Sequence, residues 1–151
     1  MTAALQSLRV LDLSRYVAGA YCAKMLAAFG ADVIKVEPPG TGDPARAVGP
    51  FPDDRPDPET SALFLYLNTG KQGLTLNLKH PKGVDILKAL VRDTDILVEN
   101  FRPRVMPGLG LDYATLRAIN PRLVMVSISS FGQSGPYRDY KANTMVSYAL
   151  G

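Results

Sequence analysis

The chain has 151 residues, 46% of them hydrophobic and 21% charged, which is a length for one domain and a composition far from that of disordered chains. Seventeen Lys and Arg against 14 Asp and Glu leave a net charge of +3, spread along the chain; that suits small anionic ligands and excludes the aromatic-interleaved basic stripe of a nucleic-acid reader. No apolar run approaches the roughly 20 residues that cross a bilayer, and the single cysteine, Cys22, excludes an internal disulfide, so a cytoplasmic protein without membrane association is expected.

In chain order, Leu8 to Leu13 (LRVLDL) reads as a short buried strand. From Val17 to Phe29 the residues Ala18, Tyr21, Met25, Ala28 and Phe29 recur at helical spacing and stop at Gly30, which predicts a helix packed through that face. Asp32 to Glu37 (DVIKVE) is the next strand, completing a βαβ unit. Pro38 to Glu59 is dense in Pro, Gly and Asp with nothing periodic to pack. It is expected to be a long surface loop, either a binding loop or a disordered excursion.

Thr60 to Asn68 is mostly apolar, Thr69 to Gly73 is a turn, and Leu74, Leu76 and Leu78 alternate with polar residues as in a half-buried strand. Pro81 then opens a helix with Val84, Leu87, Leu90 and Val91 on its apolar side, with His80 expected to flank or cap it. Asp95 to Glu99 is a strand, Asp112 to Ile119 a helix with an acidic start, and Leu123 to Ile128 the last strand. This alternation predicts an α/β fold, Rossmann-like, with a mainly parallel sheet flanked by helices.

Ligands of such sheets bind at the carboxyl ends of strands. Those ends are Ser14-Arg15-Tyr16, Glu37, Asn100-Phe101-Arg102 and Ser129 to Gly132. Two arginines, an amide, hydroxyls and aromatics suit a ligand with phosphates and a ring, or the arginines are simply solvated. Gly19 stands alone where a GxGxxG dinucleotide loop would begin, and no GxxxxGK[ST] loop is present. One histidine and one cysteine offer no metal site. Cys22 reads as a small buried thiol rather than a nucleophile, while Asp12 and Glu99 are either chemistry or buried structure held by backbone or arginine partners.

The segments GADVIKVE, LNTGKQGLTLNLKHPKG, VENFRP and SSFGQSGPY, in this order and spacing, closely resemble the family III acyl-CoA transferases and the related α-methylacyl-CoA racemases. The resemblance covers nearly the whole chain. It implies the N-terminal part of a larger, Rossmann-like domain, incomplete here, in a protein two to three times this length whose subunits form interlocked homodimers. It further implies no permanently bound cofactor, coenzyme A or acyl-CoA as substrate, a carboxylic acid acceptor, and an aspartyl intermediate whose nucleophile lies beyond Gly151. No catalytic residue is therefore expected among these residues, and the chain alone is expected to be inactive in transfer.

Carried over by motif, the coenzyme A contacts fall on Val17 and Ala18, on Leu76, Asn77, Leu78 and Lys79, on Asn100, Phe101 and Arg102, and on Lys141, Ala142, Asn143 and Thr144. Lys79, Arg102 and Lys141 would meet phosphates as charge-assisted donors. Three positions depart from the family pattern: Pro38 and Gly108 stand where arginines are found, and Asn143 where an aspartate is common. Ala142 occupies the place of the racemases' histidine, which favours transfer over racemisation. The remaining alternative is a non-catalytic fragment that binds coenzyme A or another subunit.

Overall fold

The computed structural model describes residues 3–149. Five strands, β1 (Arg9–Asp12), β2 (Asp32–Glu37), β3 (Gln72–Thr75), β4 (Ile96–Glu99) and β5 (Val124–Ser127), form one parallel sheet in the order β3-β2-β1-β4-β5. Six helices accompany them: α1 (Ala18–Ala28), α2 (Ala62–Asn68), α3 (Pro81–Val91), α4 (Val105–Gly108), α5 (Tyr113–Ile119) and α6 (Thr144–Ala149). The chain runs outward from β1 through α1 to β2 and β3. It then returns through α3 to β4 on the other side of β1, as in doubly wound α/β folds. The expected fold class is the observed one.

Both sheet faces are covered, so the central strands are apolar on both sides. Leu11, Val36, Leu97, Leu87, Val91, Leu111 and Leu116 build the larger core, under α3 and α5; Val10, Val33, Val98, Ala23 and Ala31 build the smaller one, under α1. α3 is fixed at its start by His80, whose Nδ1 accepts from the Lys82 N–H at 3.2 Å, and α5 by Asp112, which accepts from the Thr115 N–H at 3.0 Å. The expected capping role of His80 is thus present.

Four expectations need correction. The face of α1 chosen from spacing is the outward one: Ala18, Tyr21, Met25, Ala28 and Phe29 are exposed, whereas Gly19, Ala20 and Ala23 are buried. Small residues face the sheet because the helix lies close to it; a β-carbon on Gly19 would stand 2.3 Å from the Ser14 Cβ. The third strand begins and ends earlier than the leucine alternation suggested, although Leu76 is buried and Leu74 and Leu78 are half-buried. The 38–59 segment is a surface loop as expected, but not a disordered excursion, since it contains two short 3₁₀ turns, Pro44–Ala47 and Pro52–Asp54, and buries Asp43 and Ala45. Lastly, α4 was not foreseen.

The accessible surface is 9426 Å², against about 7,500 Å² for a compact monomer of this mass. Part of the excess is apolar, with Tyr21, Phe29, Leu65 and Tyr66 exposed on α1 and α2 and Met145 and Tyr148 on α6. Leu150 and Gly151, which follow α6, lie outside the described residues.

Candidate functional site

The sheet reverses its winding between β1 and β4, and the turns that follow these two strands meet there. Asn100 joins them. Its Oδ1 accepts from the Arg15 N–H at 2.8 Å and its Nδ2 donates to the Arg15 carbonyl at 2.7 Å. The Arg15 guanidinium lies over the Phe101 ring, 5.3 Å from its centroid, a cation–π contact that leaves its outer N–H groups free for a ligand.

Beside this junction opens a cleft of about 770 Å³, within the range of small-molecule sites. The β3–α3 connection lines one wall with Leu76, Asn77, Leu78 and Lys79; Arg15 and Phe101 line another, and Pro38, Pro39, Thr41, Gly42 and Pro44 from the loop after β2 line a third. Asn77 Oδ1 accepts from the Lys79 N–H at 3.1 Å, a local turn that carries the exposed Lys79 to the rim.

Across Phe101 lies a smaller cavity of about 120 Å³, lined by Asn100, Phe101, Arg102, Ser129, Ser130, Arg138, Lys141 and Ala142. Of the thirteen carried-over residues, nine therefore line these two cavities, and Phe101 is common to both. Val17, Ala18 and Asn143 line neither. Asn143 instead accepts from the Val146 N–H at 2.9 Å in the first turn of α6, and of Thr144 only its place as first residue of α6 is described. Lys79, Arg102 and the turn before Val17 all follow carboxyl ends of strands in one parallel sheet, so they share one edge.

On the α1 side of the sheet, next to the turn after β1, sits a set of buried charges that motif reading did not assemble. Lys71 Nζ donates at 2.8 Å to Asp12 Oδ2, at 2.8 Å to the Ala20 carbonyl and at 2.9 Å to Asn68 Oδ1. Lys35 Nζ donates to Asp43 Oδ2 at 2.8 Å and to the Ser14 carbonyl. Asp43 Oδ1 accepts from the Tyr16 and Ala45 N–H groups at 3.0 and 2.9 Å. Asp12, Lys35 and Asp43 are at most 2% exposed. Two cations face two anions, which is what burial of charge requires.

Glu37 closes the set. It takes hydrogen bonds from the Asp43 N–H at 2.7 Å and from Arg46 at 2.8 and 2.9 Å. Burial works to raise its carboxyl pKa, but the Arg46 and Asp43 bonds together outweigh it and hold the carboxyl below its usual range. Burial pushes the Lys71 ammonium down against the pull of Asp12. The sequence carries only part of the signal: Asp12 in β1 and Lys35 and Glu37 in β2 are charged residues within strands that lie between two helical layers, and it is the parallel register that makes Asp12 the partner of Lys35.

Glu99 and Cys22 take structural places. Glu99, buried, accepts from the Phe101 N–H at 2.8 Å and so shapes the turn after β4. Cys22 is half-buried against the α1-side core, and burial, with Asp12 nearby, raises its thiol pKa, the opposite of an activated nucleophile. Among the described residues, no group of three or more His, Cys, Asp or Glu is placed to hold a metal, and no helix is long and apolar enough to cross a membrane.

A five-stranded parallel sheet wound in both directions from β1 and covered by helices defines a doubly wound α/β protein. The match is specific: residues 5–151 fit the family model described as CoA-transferase family III, and the chain belongs to that family. It is 45% identical to the formyl-CoA:oxalate CoA-transferase of Rhodopseudomonas palustris (strain HaA2) over 152 residues, which is 100% of this chain and 34% of that protein. The succinate–glutarate CoA-transferase of Agrobacterium fabrum is 44% identical over 138 residues, covering 90% of this chain and 34% of its own length. The crystal structure of a CAIB/BAIF family protein from Brucella suis superposes with a TM-score of 0.89 at 34% identity, covering all of this chain and 40% of that one. The chain thus spans about a third of the length of the curated relatives it matches.

Proposed function

We propose that this chain is the coenzyme A-gripping N-terminal part of the large domain of a CoA-transferase that moves CoA from an acyl-CoA donor to a carboxylic acid acceptor. The observation that carries the reading is the convergence of Leu76, Asn77, Leu78, Lys79, Arg15 and Phe101 on one cleft at the winding reversal of the sheet. In it Lys79 and Arg15 pair with phosphates, the backbone near Leu76 addresses the adenine edge, and Phe101 supplies an apolar face. The cations Arg102, Arg138 and Lys141 around the smaller cavity extend the anion-binding edge.

The reading includes a homodimeric, cytoplasmic enzyme without a permanent cofactor, and covalent transfer through an aspartyl intermediate. In that route the aspartate carboxylate attacks the donor acyl carbon and the thiolate of CoA leaves. The thiolate then attacks the aspartyl carbonyl of the mixed anhydride, releasing the donor acid and leaving an aspartyl thioester. The acceptor carboxylate attacks that thioester and expels the thiolate, which attacks the acceptor acyl carbon of the new anhydride, giving the product thioester and freeing the aspartate. The nucleophile has no counterpart among these residues, so the chain by itself binds CoA but does not transfer it.

Isothermal titration calorimetry with CoA tests the reading. Binding is expected, weakened about tenfold by Lys79→Ala and relieved by added salt, as for a charge-assisted phosphate contact. Absence of binding at millimolar CoA, or equal binding by Lys79→Ala, overturns it.

A further inference from the structure

Tyr16 adopts a φ of +57°, a left-handed conformation that a bulky residue holds only where its surroundings over-determine it. They do so here from four directions. The Tyr16 N–H donates to Asp43 Oδ1, both backbone groups of Arg15 are taken by Asn100, the Ser14 carbonyl accepts from Lys35, and the Ala20 carbonyl accepts from Lys71. Three of these four holds end on buried charges, Asp43, Lys35 and Lys71.

Asp43 touches both walls that meet at this corner. One carboxylate oxygen takes the Tyr16 N–H from the β1–α1 turn and the Ala45 N–H from the loop after β2; the other takes Lys35, and its own N–H is given to Glu37. Its neighbours Thr41, Gly42 and Pro44 line the cleft, whereas Asp43 itself points away into the interior. Lys35, on β2, ties the same carboxylate to the Ser14 carbonyl one residue before Arg15. Asp43 and Lys35 line neither cavity; besides pairing with each other they hold the backbone of Ser14, Tyr16 and Ala45.

We propose that Asp43 and Lys35 are positioning residues that set the β1–α1 turn and the loop after β2 in their ligand-ready geometry before coenzyme A arrives. The proposal rests on the reading of the cleft as the coenzyme A site. Its physical content is preorganisation: a turn held in one conformation by the interior does not have to be ordered by the ligand, so affinity is not reduced by the ordering cost.

Amide hydrogen exchange and CoA calorimetry on the whole chain test it. In the ligand-free wild type the Tyr16 and Ala45 amides are expected to be protected. Asp43→Ala is expected to lose that protection and to bind CoA about tenfold more weakly or worse, while amides of α3 and α5, in the opposite layer, keep theirs. Asp57→Ala, in the exposed part of the same segment, is expected to stay within about twofold of the wild type. If Asp43→Ala fails to fold because Lys35 is left unpaired, the double variant Lys35→Met/Asp43→Ala removes both charges and the acceptor of the Tyr16 and Ala45 N–H groups together and carries the comparison.

A Tyr16 amide that exchanges freely without ligand and becomes protected only on adding CoA overturns the proposal, as does weaker binding with Tyr16 protection intact. Unchanged CoA affinity in a variant whose Tyr16 amide is exposed overturns the positioning role and leaves the cleft reading standing. Failure of the wild type to bind CoA overturns both.

Discussion

Gly83, in the first turn of α3, lies so close to Asn77 that a β-carbon on it would stand 2.1 Å from the Asn77 carbonyl oxygen and 2.8 Å from its carbonyl carbon. The helix that covers the large core and the segment that forms one wall of the cleft are thus in direct backbone contact.

Gly83→Ala is therefore expected to displace Asn77, Leu78 and Lys79 together. Alanine favours the helix by about 1 kcal/mol, but the obstacle is backbone rather than a flexible side-chain tip, and overpacking of this kind costs about 1–3 kcal/mol. A lower melting temperature and weaker CoA binding by calorimetry are the expected result. A variant that melts at or above the wild type with unchanged affinity would show that the wall is free to move.

Asn100→Ala removes both hydrogen bonds that connect the turn after β4 to Arg15. It is expected to release Arg15 from Phe101 and weaken CoA binding about tenfold, in line with about 1–3 kcal/mol for leaving paired groups unsatisfied. Quantitative binding with Arg15→Ala as a second variant checks the route: the double variant is expected to be no weaker than the worse single one, because Asn100, bonded to the Arg15 backbone, acts on the ligand through the Arg15 side chain.

The Glu37 carboxyl gives the fold an acid dependence whose sign follows from its depressed pKa. Its contribution to stability is complete above the unfolded carboxylate value of about 4.3 and is lost as pH falls through the lower folded value. Thermal melts between neutral and strongly acidic pH are expected to show a steeper loss for the wild type than for Glu37→Gln. Parallel curves would remove Glu37 from the account.

Two neighbouring residues of α3 separate core from surface. Leu87 is fully buried while Ile86 is 51% exposed. Leu87→Ala is expected to lose about 2–5 kcal/mol, and Ile86→Ala to stay within about 0.5 kcal/mol, as read by urea unfolding. Equal losses would mean that the helix is seated on a different face.

For α1 the corresponding pair is Ala23, fully buried, and Met25, 37% exposed. Ala23→Leu is expected to destabilise by overpacking against Val10, Val33 and Val98, while Met25→Gln leaves the melting temperature nearly unchanged. The reverse order would restore the orientation that residue spacing alone suggests.

Strand positions other than β3, the helix stop at Gly30, the helix start at Pro81 and the caps at His80 and Asp112 were legible in the sequence because each depends on a few neighbouring residues and on local backbone energetics. The family motifs were legible for the same reason, being short strings, and they named nine residues that line the two cavities. Which face of α1 points inward was not. Hydrophobicity selects the larger residues, Tyr21, Met25 and Phe29, but closeness of the helix to the sheet admits only Gly19, Ala20 and Ala23, and that distance is a property of the packed layers. Nor was the meeting of Asp12, Lys35, Asp43 and Lys71, which are separated by up to 59 positions along the chain. Each looks alone like an isolated charge; only the parallel register, which sets Asp12 beside Lys35 and brings the loop after β2 back over them, lets two cations and two anions share one buried place.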